Sequence, residues 1–194
     1  MKLRYSGYVS RETIDNLLKA LRIGDNVSHW IMVFAKTKLG QIKPEDVIAA
    51  VTESNTYTLC EQYGLDPTLI QPALEQIEVA VSVGGQQPLL ALRYGPKQHP
   101  PVVVTAWDVV VETGSQLQAE MIKDCDSPVI ARNLEETSFI YCVELVASQL
   151  GDMGLLLAYE LARWIAQRGE GLVLGLDRTW YRLNAYQAFI PIVE

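Results

Sequence analysis

LARWIAQRGEGLVLGLDRTWYRL, residues 161–183, carries Gly169, Gly171 and Gly175 within seven positions. Glycine loops that hold phosphate run from a strand into the amino end of a helix. There, free N–H groups and the positive end of the dipole meet the anion. The order here is reversed. A helical apolar pattern runs up to Arg168, and a strand-like LVL follows the glycines. The negative end of the helix dipole, with Glu170 beside it, faces the glycines and opposes an anion. The stretch is a joint between a helix and a strand. Gly169 is placed for a left-handed C-cap, Gly171 for the strand opening, and Gly175 for a bulge or close packing inside the strand.

Upstream of the joint, the pattern predicts a helix over 152–168 with Asp152 as its cap. Leu155, Ala158, Tyr159, Ala162, Ile165 and Ala166 form one apolar stripe, and Leu157, Leu161 and Trp164 form a second. Only Glu160, Arg163 and Gln167 make a polar strip. A helix lying on one sheet shows a broader polar face, so this helix is expected to be covered on two sides, within the chain. Downstream, TWYRLN pairs with GLVLGL through the Asp177-Arg178 turn.

The rest of the second half completes the pattern. A long strand is expected over 101–112, a helix over 115–123, and strands at Val129-Ile130 and 138–146. The order is βαββαβ plus one added strand, the ferredoxin-like arrangement. Before it, Ser10 caps a helix from Arg11 to Gly24. HWIMVFAK, residues 29–36, reads as a strand. Pro44 opens a second helix whose Val47, Ile48, Ala50 and Val51 face inward. Residues 77–84 and 88–95 read as a hairpin. GPKQHPP, residues 95–101, is the candidate boundary. The expectation is an α+β protein: a mixed α/β region over 1–95, packed on a ferredoxin-like region over 101–194.

The chain has 194 residues, 49% hydrophobic and 20% charged, with a net charge of −7. That describes a folded chain with a sizeable core. No apolar run approaches the roughly 20 residues of a membrane span, and the first residues lack the apolar core of a signal peptide. A cytoplasmic protein without membrane attachment is expected. Cys60, Cys125 and Cys142 are odd in number and form no CxxC pair, against disulfides and structural zinc. Charge is unevenly spread. Residues 1–43 net +5, residues 44–92 net −7 with no Lys or Arg at all, and residues 93–194 net −5. Such a middle window repels nucleic acid and suits a basic partner, while plain solubility is the commoner reason for such a surface.

Motifs for chemistry are sparse. TLCEQYGLDPTLIQPALEQI, residues 58–77, resembles a helix-turn-helix with Gly64 in its turn. It has no cation to replace phosphate counterions, its Glu61, Asp66 and Glu75 are acidic, and Pro72 falls in its second helix. His29 and His99 have no metal-ligand spacing. Asp124 and Asp126 read as helix-end and turn residues, and Glu135-Glu136 as a chance acidic pair. Glu144 and Arg163 read as solvated or peripherally paired. No GxSxG elbow is present, and no residue stands out as catalytic, metal-binding or cofactor-binding. Trp180, Tyr181 and Tyr186 cluster with Arg178 and Arg182, the residue types that dominate protein interfaces. Alternation puts Trp180 and Arg182 on one face and Tyr181 and Leu183 in the core. Trp180, Arg178 and Arg182 are the candidate partner-binding patch.

The last ~55 residues, including VELVASQLGDMGLLLAYELARWIAQRGEGLVLGLDRTWYRL, resemble a unit of small bacterial toxin-immunity-type proteins: strand, long LA-rich helix, Gly-bounded strand and short aromatic strand. The resemblance is one of pattern and implies a bacterial, non-enzymatic protein that binds a protein partner or itself, without a cofactor. The rival expectation is a small-molecule binder or enzyme with a cleft between the two halves. A DNA-binding regulator ranks third.

Overall fold

The computed structural model describes residues 28–52, 60–61, 63–82, 87–95 and 99–192. The helix expected over 11–24 lies outside them. Eight strands are described: β1 (Ser28–Ala35), β2 (Glu78–Val81), β3 (Leu90–Arg93), β4 (Val102–Asp108), β5 (Phe139–Val146), β6 (Leu172–Leu174), β7 (Trp180–Leu183) and β8 (Phe189–Pro191). Five α-helices accompany them: α1 (Pro44–Thr52), α2 (Ile70–Glu75), α3 (Glu112–Lys123), α4 (Pro128–Glu135) and α5 (Met153–Gly169). The protein is α+β. Its strands form one open sheet in the order β2-β3-β4-β5-β1-β6-β7-β8, every pair antiparallel.

The strand HWIMVFA sits at the centre. It pairs along its whole length with β5 and on its other side with β6. Residues Ile31 to Ala35 are at most 2% exposed, because layers cover both faces of the sheet. A near-continuous apolar run, rather than an alternating one, suits such a position. On one face Ile31 and Val33 pack with α5 and with Val47 and Val51 of α1. On the other, Met32 and Phe34 join Leu117 of α3 and Ile130 and Leu134 of α4. Each such side chain stabilises the fold by about 1.5–3 kcal/mol relative to exposure.

Helix α5 is rich in Leu and Ala and has a single β-branched residue, Ile165, which favours the helix. Asp152 caps it, its Oδ1 accepting from the Gly154 N–H at 2.7 Å. It is covered on two sides within the chain, by the sheet and by α1, and even Glu160 is only 3% exposed. The Glu160 carboxylate meets Arg163 at 2.7 Å, and the guanidinium also donates to the Ala50 carbonyl. The polar strip is therefore an α5–α1 fastening, and Arg163 is not a solvated surface residue.

The ferredoxin-like order is not seen, and four local expectations are corrected. Val129 and Ile130 belong to α4: the Ser127 hydroxyl accepts from the Ile130 N–H, and Pro128 occupies the first helical turn. Without that strand the βαββαβ order is lost, and all pairing is antiparallel. Strand β4 stops at Asp108, whose Oδ1 accepts from the Val110 N–H, and the next helix begins at Glu112. The left-handed cap of α5 is Glu170, at φ 53°, with the Gly171 N–H reaching the Ala166 carbonyl. Gly169 is instead a close-approach residue: a Cβ there would stand 2.6 Å from the Ala35 Cβ. Its carbonyl accepts from the Lys36 and Thr37 N–H groups, tying the helix end to β1. Gly175 lies just past β6 and opens the β6–β7 turn, with Arg178 at φ 62°; the expected close packing is present, since a Cβ there would stand 3.1 Å from the Tyr159 hydroxyl. Residues 95–101 connect β3 to β4, which are paired neighbours.

Candidate functional site

Three places bring polar chemistry together. The first lies at the amino end of α5, beside a hollow of about 200 Å³ lined by Leu69, Pro72, Ala73, Tyr94, His99 and Asp152 among others. The Tyr94 hydroxyl donates to Asp152 Oδ1 at 3.0 Å and accepts from Gln149 Nε2 at 3.2 Å. His99 Nε2 faces Asp152 Oδ2 at 3.4 Å, and its ring stands edge-on to Tyr94. Gln149, fully buried, also donates to the Pro100 carbonyl and accepts from the Val146 N–H. Burial and the Asp152 carboxylate push the Tyr94 hydroxyl well above its usual value of about 10, against the opposing effect of the Gln149 bond.

A His–Asp–Tyr group suggests proton transfer, but the valences argue otherwise. Both Asp152 oxygens face internal partners, and the Tyr94 hydroxyl is bonded on both sides. The remaining nitrogen of His99, Nδ1, is buried and has no hydrogen-bond partner among the described residues. A general base must reach a substrate proton, and here the groups reach one another. The cluster fastens the segment after β3 to the start of α5. A Cβ on Gly154 would overlap the Tyr94 hydroxyl, so the close fit is set by that glycine. The sequence did not reveal this group, because its members lie 58 and 55 positions apart along the chain.

The second place is a cleft of about 640 Å³ between residues 38–44, the β2–β3 hairpin and the ends of β4 and β5. Its walls are apolar: Leu39, Ile42, Val81, Leu89, Phe139 and Tyr141. Most of its polar groups serve the fold. The Gln87 amide both donates to and accepts from the Ala106 backbone, the Ser82 hydroxyl donates to the Pro88 carbonyl, and the Tyr141 hydroxyl accepts from the Leu39 N–H. Burial pushes the Tyr141 hydroxyl up. Lys38 stands over the Phe139 ring at 5.4 Å.

The third is a set of acidic side chains within residues 44–92. Glu45, Glu61, Asp66 and Glu75 are exposed and none is ion-paired among the described residues. Asp66 caps the turn Pro67–Leu69, and hydrogen bonds from Thr68 hold its carboxyl below the usual range. In the helix-turn-helix-like segment, Gly64 occupies the turn at φ 65°, and the second helix is only six residues long with Pro72 in its first turn.

The C-terminal aromatic group divides. Trp180 packs on Phe34 at 5.1 Å, on the α3/α4 face of the sheet. Tyr181 lies on the other face, against Phe189 and the core around Tyr159. Tyr186 is 91% exposed in the β7–β8 turn. Arg182, beside Ile190, shares the Trp180 face, and Arg178 sits in the preceding turn; both are exposed. Asp124 ends α3 and Asp126 is exposed in the turn after it, while Glu144 is half-buried on β5. Among the described residues no group of His, Cys, Asp and Glu could hold a metal, and no helix is long and apolar enough to cross a membrane. Compared with known proteins, the chain matches no family model, no curated protein and no solved structure.

Proposed function

We propose that this chain is a non-enzymatic binding protein whose partner is a basic protein, held on the surface built from residues 44–92. The observation that carries the reading is electrostatic. That window has seven acids and no Lys or Arg, and four of the acids stand exposed without an ion pair among the described residues. Arg168 and Arg93, from outside the window, meet only Asp46 and Glu78 among its described acids, and a surplus of one sign steers an oppositely charged partner and disfavours nucleic acid. The mutual bonding of Tyr94, Gln149 and Asp152 supports a binding role over catalysis. The resemblance of the last ~55 residues to toxin-immunity-type proteins of bacteria points the same way. Trp180 with Arg178 and Arg182 remains a separate contact patch on the other side of the sheet. The rival reading, small-molecule binding, rests on the 640 Å³ cleft, whose lining hydrogen bonds are mostly internal.

The test compares capture from a native lysate by the wild-type chain and by the triple variant Glu61→Gln, Asp66→Asn, Glu75→Gln. Asn retains the capping role of Asp66. The expected result is one basic protein recovered in stoichiometric amount by the wild type and lost by the variant. Equal recovery by both, or a small molecule co-purifying in its place, removes the reading.

A further inference from the structure

An open sheet has two edges, and here they differ. At the β8 edge, the Asn184 N–H bonds the Ala188 carbonyl and the Ile192 N–H bonds the Trp180 carbonyl. Alternation then turns the backbones of Phe189 and Pro191 outward. Pro191 has no N–H, and β8 is only three residues long, so this edge offers little to an incoming strand. At the other edge, the Ser82 N–H bonds the Leu89 carbonyl. The same alternation turns Ala80 and Glu78 toward β3 and turns the N–H and C=O groups of Val79 and Val81 outward. This edge has no proline and no lysine. Its one charged side chain, Glu78, meets Arg93 of β3 at 3.6 Å. Val79 and Val81 lay their side chains on the α1 face, and Val81 opens onto the cleft beside Leu89 and Ile42.

We propose that the outer edge of β2 receives an extended segment of a basic partner as a ninth strand, with apolar side chains continuing the Val79–Val81 row toward the cleft. The inference rests on the partner reading above and names how that partner binds. Backbone groups would supply affinity and the flanking row specificity, as in strand addition generally. Charge selects the occupant. Glu75, not ion-paired among the described residues, precedes β2 in a window without Lys or Arg, and Glu78 opens the strand with Arg93 of β3 as its partner. Alternating cationic side chains on an incoming strand would be attracted to these carboxylates.

The probe is a synthetic peptide of alternating valine and lysine, about eight residues long to span a strand, with a valine–glutamate peptide as control. Two further versions are N-methylated on alternate residues, one set on each side of the strand. The expected result is binding of the lysine peptide at least about tenfold tighter than the glutamate peptide, with amide exchange at Val79 and Val81 slowed on binding. One N-methyl version binds and the other does not, since only one side of an added strand meets β2. Val81→Pro, which removes an outward N–H and leaves the β3 pairing, weakens binding about threefold to tenfold, the net worth of one hydrogen bond. The proposal is overturned if no peptide binds, if both N-methyl versions bind equally, or if Val79 and Val81 exchange is unchanged. It is also overturned if the free protein is a dimer that Val81→Pro makes monomeric, for then a second copy holds the edge. Binding weakened by the Glu61, Asp66 and Glu75 substitutions but not by Val81→Pro leaves the acidic-surface reading intact and removes strand addition. The N-methyl comparison needs no protein variant, so it decides the matter even if Val81→Pro does not fold.

Discussion

Replacing Gln149 with Leu tests whether the cluster at the amino end of α5 is a fastening. Leu matches the amide closely in volume, so the cavity contribution is small and the loss is one of hydrogen bonds. Three partners lose their bond: the Tyr94 hydroxyl, the Pro100 carbonyl and the Val146 N–H. A buried polar group left unpaired costs about 1–3 kcal/mol. Pro100 and Val146 are half-buried, so water recovers part of their loss. The expected destabilisation is about 3 kcal/mol, or about 6–12 °C in Tm for a chain of this size. Tyr94→Phe alone should cost about 1–2 kcal/mol. Because the two share a bond, the double variant should cost about 1 kcal/mol less than the sum. Urea denaturation followed by tryptophan fluorescence supplies all three numbers. A Gln149→Leu cost below about 1 kcal/mol, or strict additivity with Tyr94→Phe, would refute the reasoning and return the group to candidacy for chemistry.

Three other outcomes are expected. Gly169→Ala should destabilise by about 1–3 kcal/mol through overpacking, since its Cβ would meet the Ala35 Cβ at 2.6 Å; a neutral effect on chemical denaturation would contradict the close approach of α5 to β1. Arg163→Met should cost about 1–3 kcal/mol by removing the guanidinium that the Glu160 carboxylate and the Ala50 carbonyl share; a melting curve unchanged by the substitution would show that the contact fastens nothing. The pH dependence of Asp177→Asn follows from its environment: burial alone would raise this carboxyl, but hydrogen bonds from Tyr181 and Thr179 outweigh it and hold it low. A lowered carboxyl contributes stability that is present above its unfolded value of about 3.9 and lost as pH falls below it. The stability gap between wild type and Asp177→Asn should therefore shrink between about pH 4 and pH 2, and a gap that is constant or widens there would count against the bond. The same bond acts oppositely on Tyr181: burial and the Asp177 contact push the phenol up to about 12, so its contribution is present below about pH 10 and fades as pH rises further.

The parts of the fold readable from the chain were those written in local patterns. The two stripes of α5 announced a helix covered on both sides, and Glu160 at 3% exposure shows how complete that cover is. The reversed order of GEGLVLG marked a joint, and the structure adds which glycine is needed for space and which neighbour takes the left-handed turn. Val129-Ile130 misled because two β-branched residues outweighed the Ser127 cap and Pro128, which are helix-start signals. Strand β8 escaped notice because its three residues include a proline. The strand order could not be read at all: the insertion of β1 between β5 and β6 is decided by long-range packing. The His99 group is hidden for the same reason, since nothing local links Tyr94, Gln149 and Asp152. The acidic window, by contrast, was visible in the counts alone, and the structure shows five of its carboxylates exposed.

The most direct measurement is an NMR titration of the isotope-labelled chain with its captured basic partner, mapping which amides shift. Changes are expected to concentrate in residues 45–81, including Glu61, Asp66, Glu75, Val79 and Val81, and to weaken as salt is raised. Changes concentrated instead at Arg178, Trp180 and Arg182, or around Tyr94, His99 and Asp152, with no dependence on salt, would contradict it.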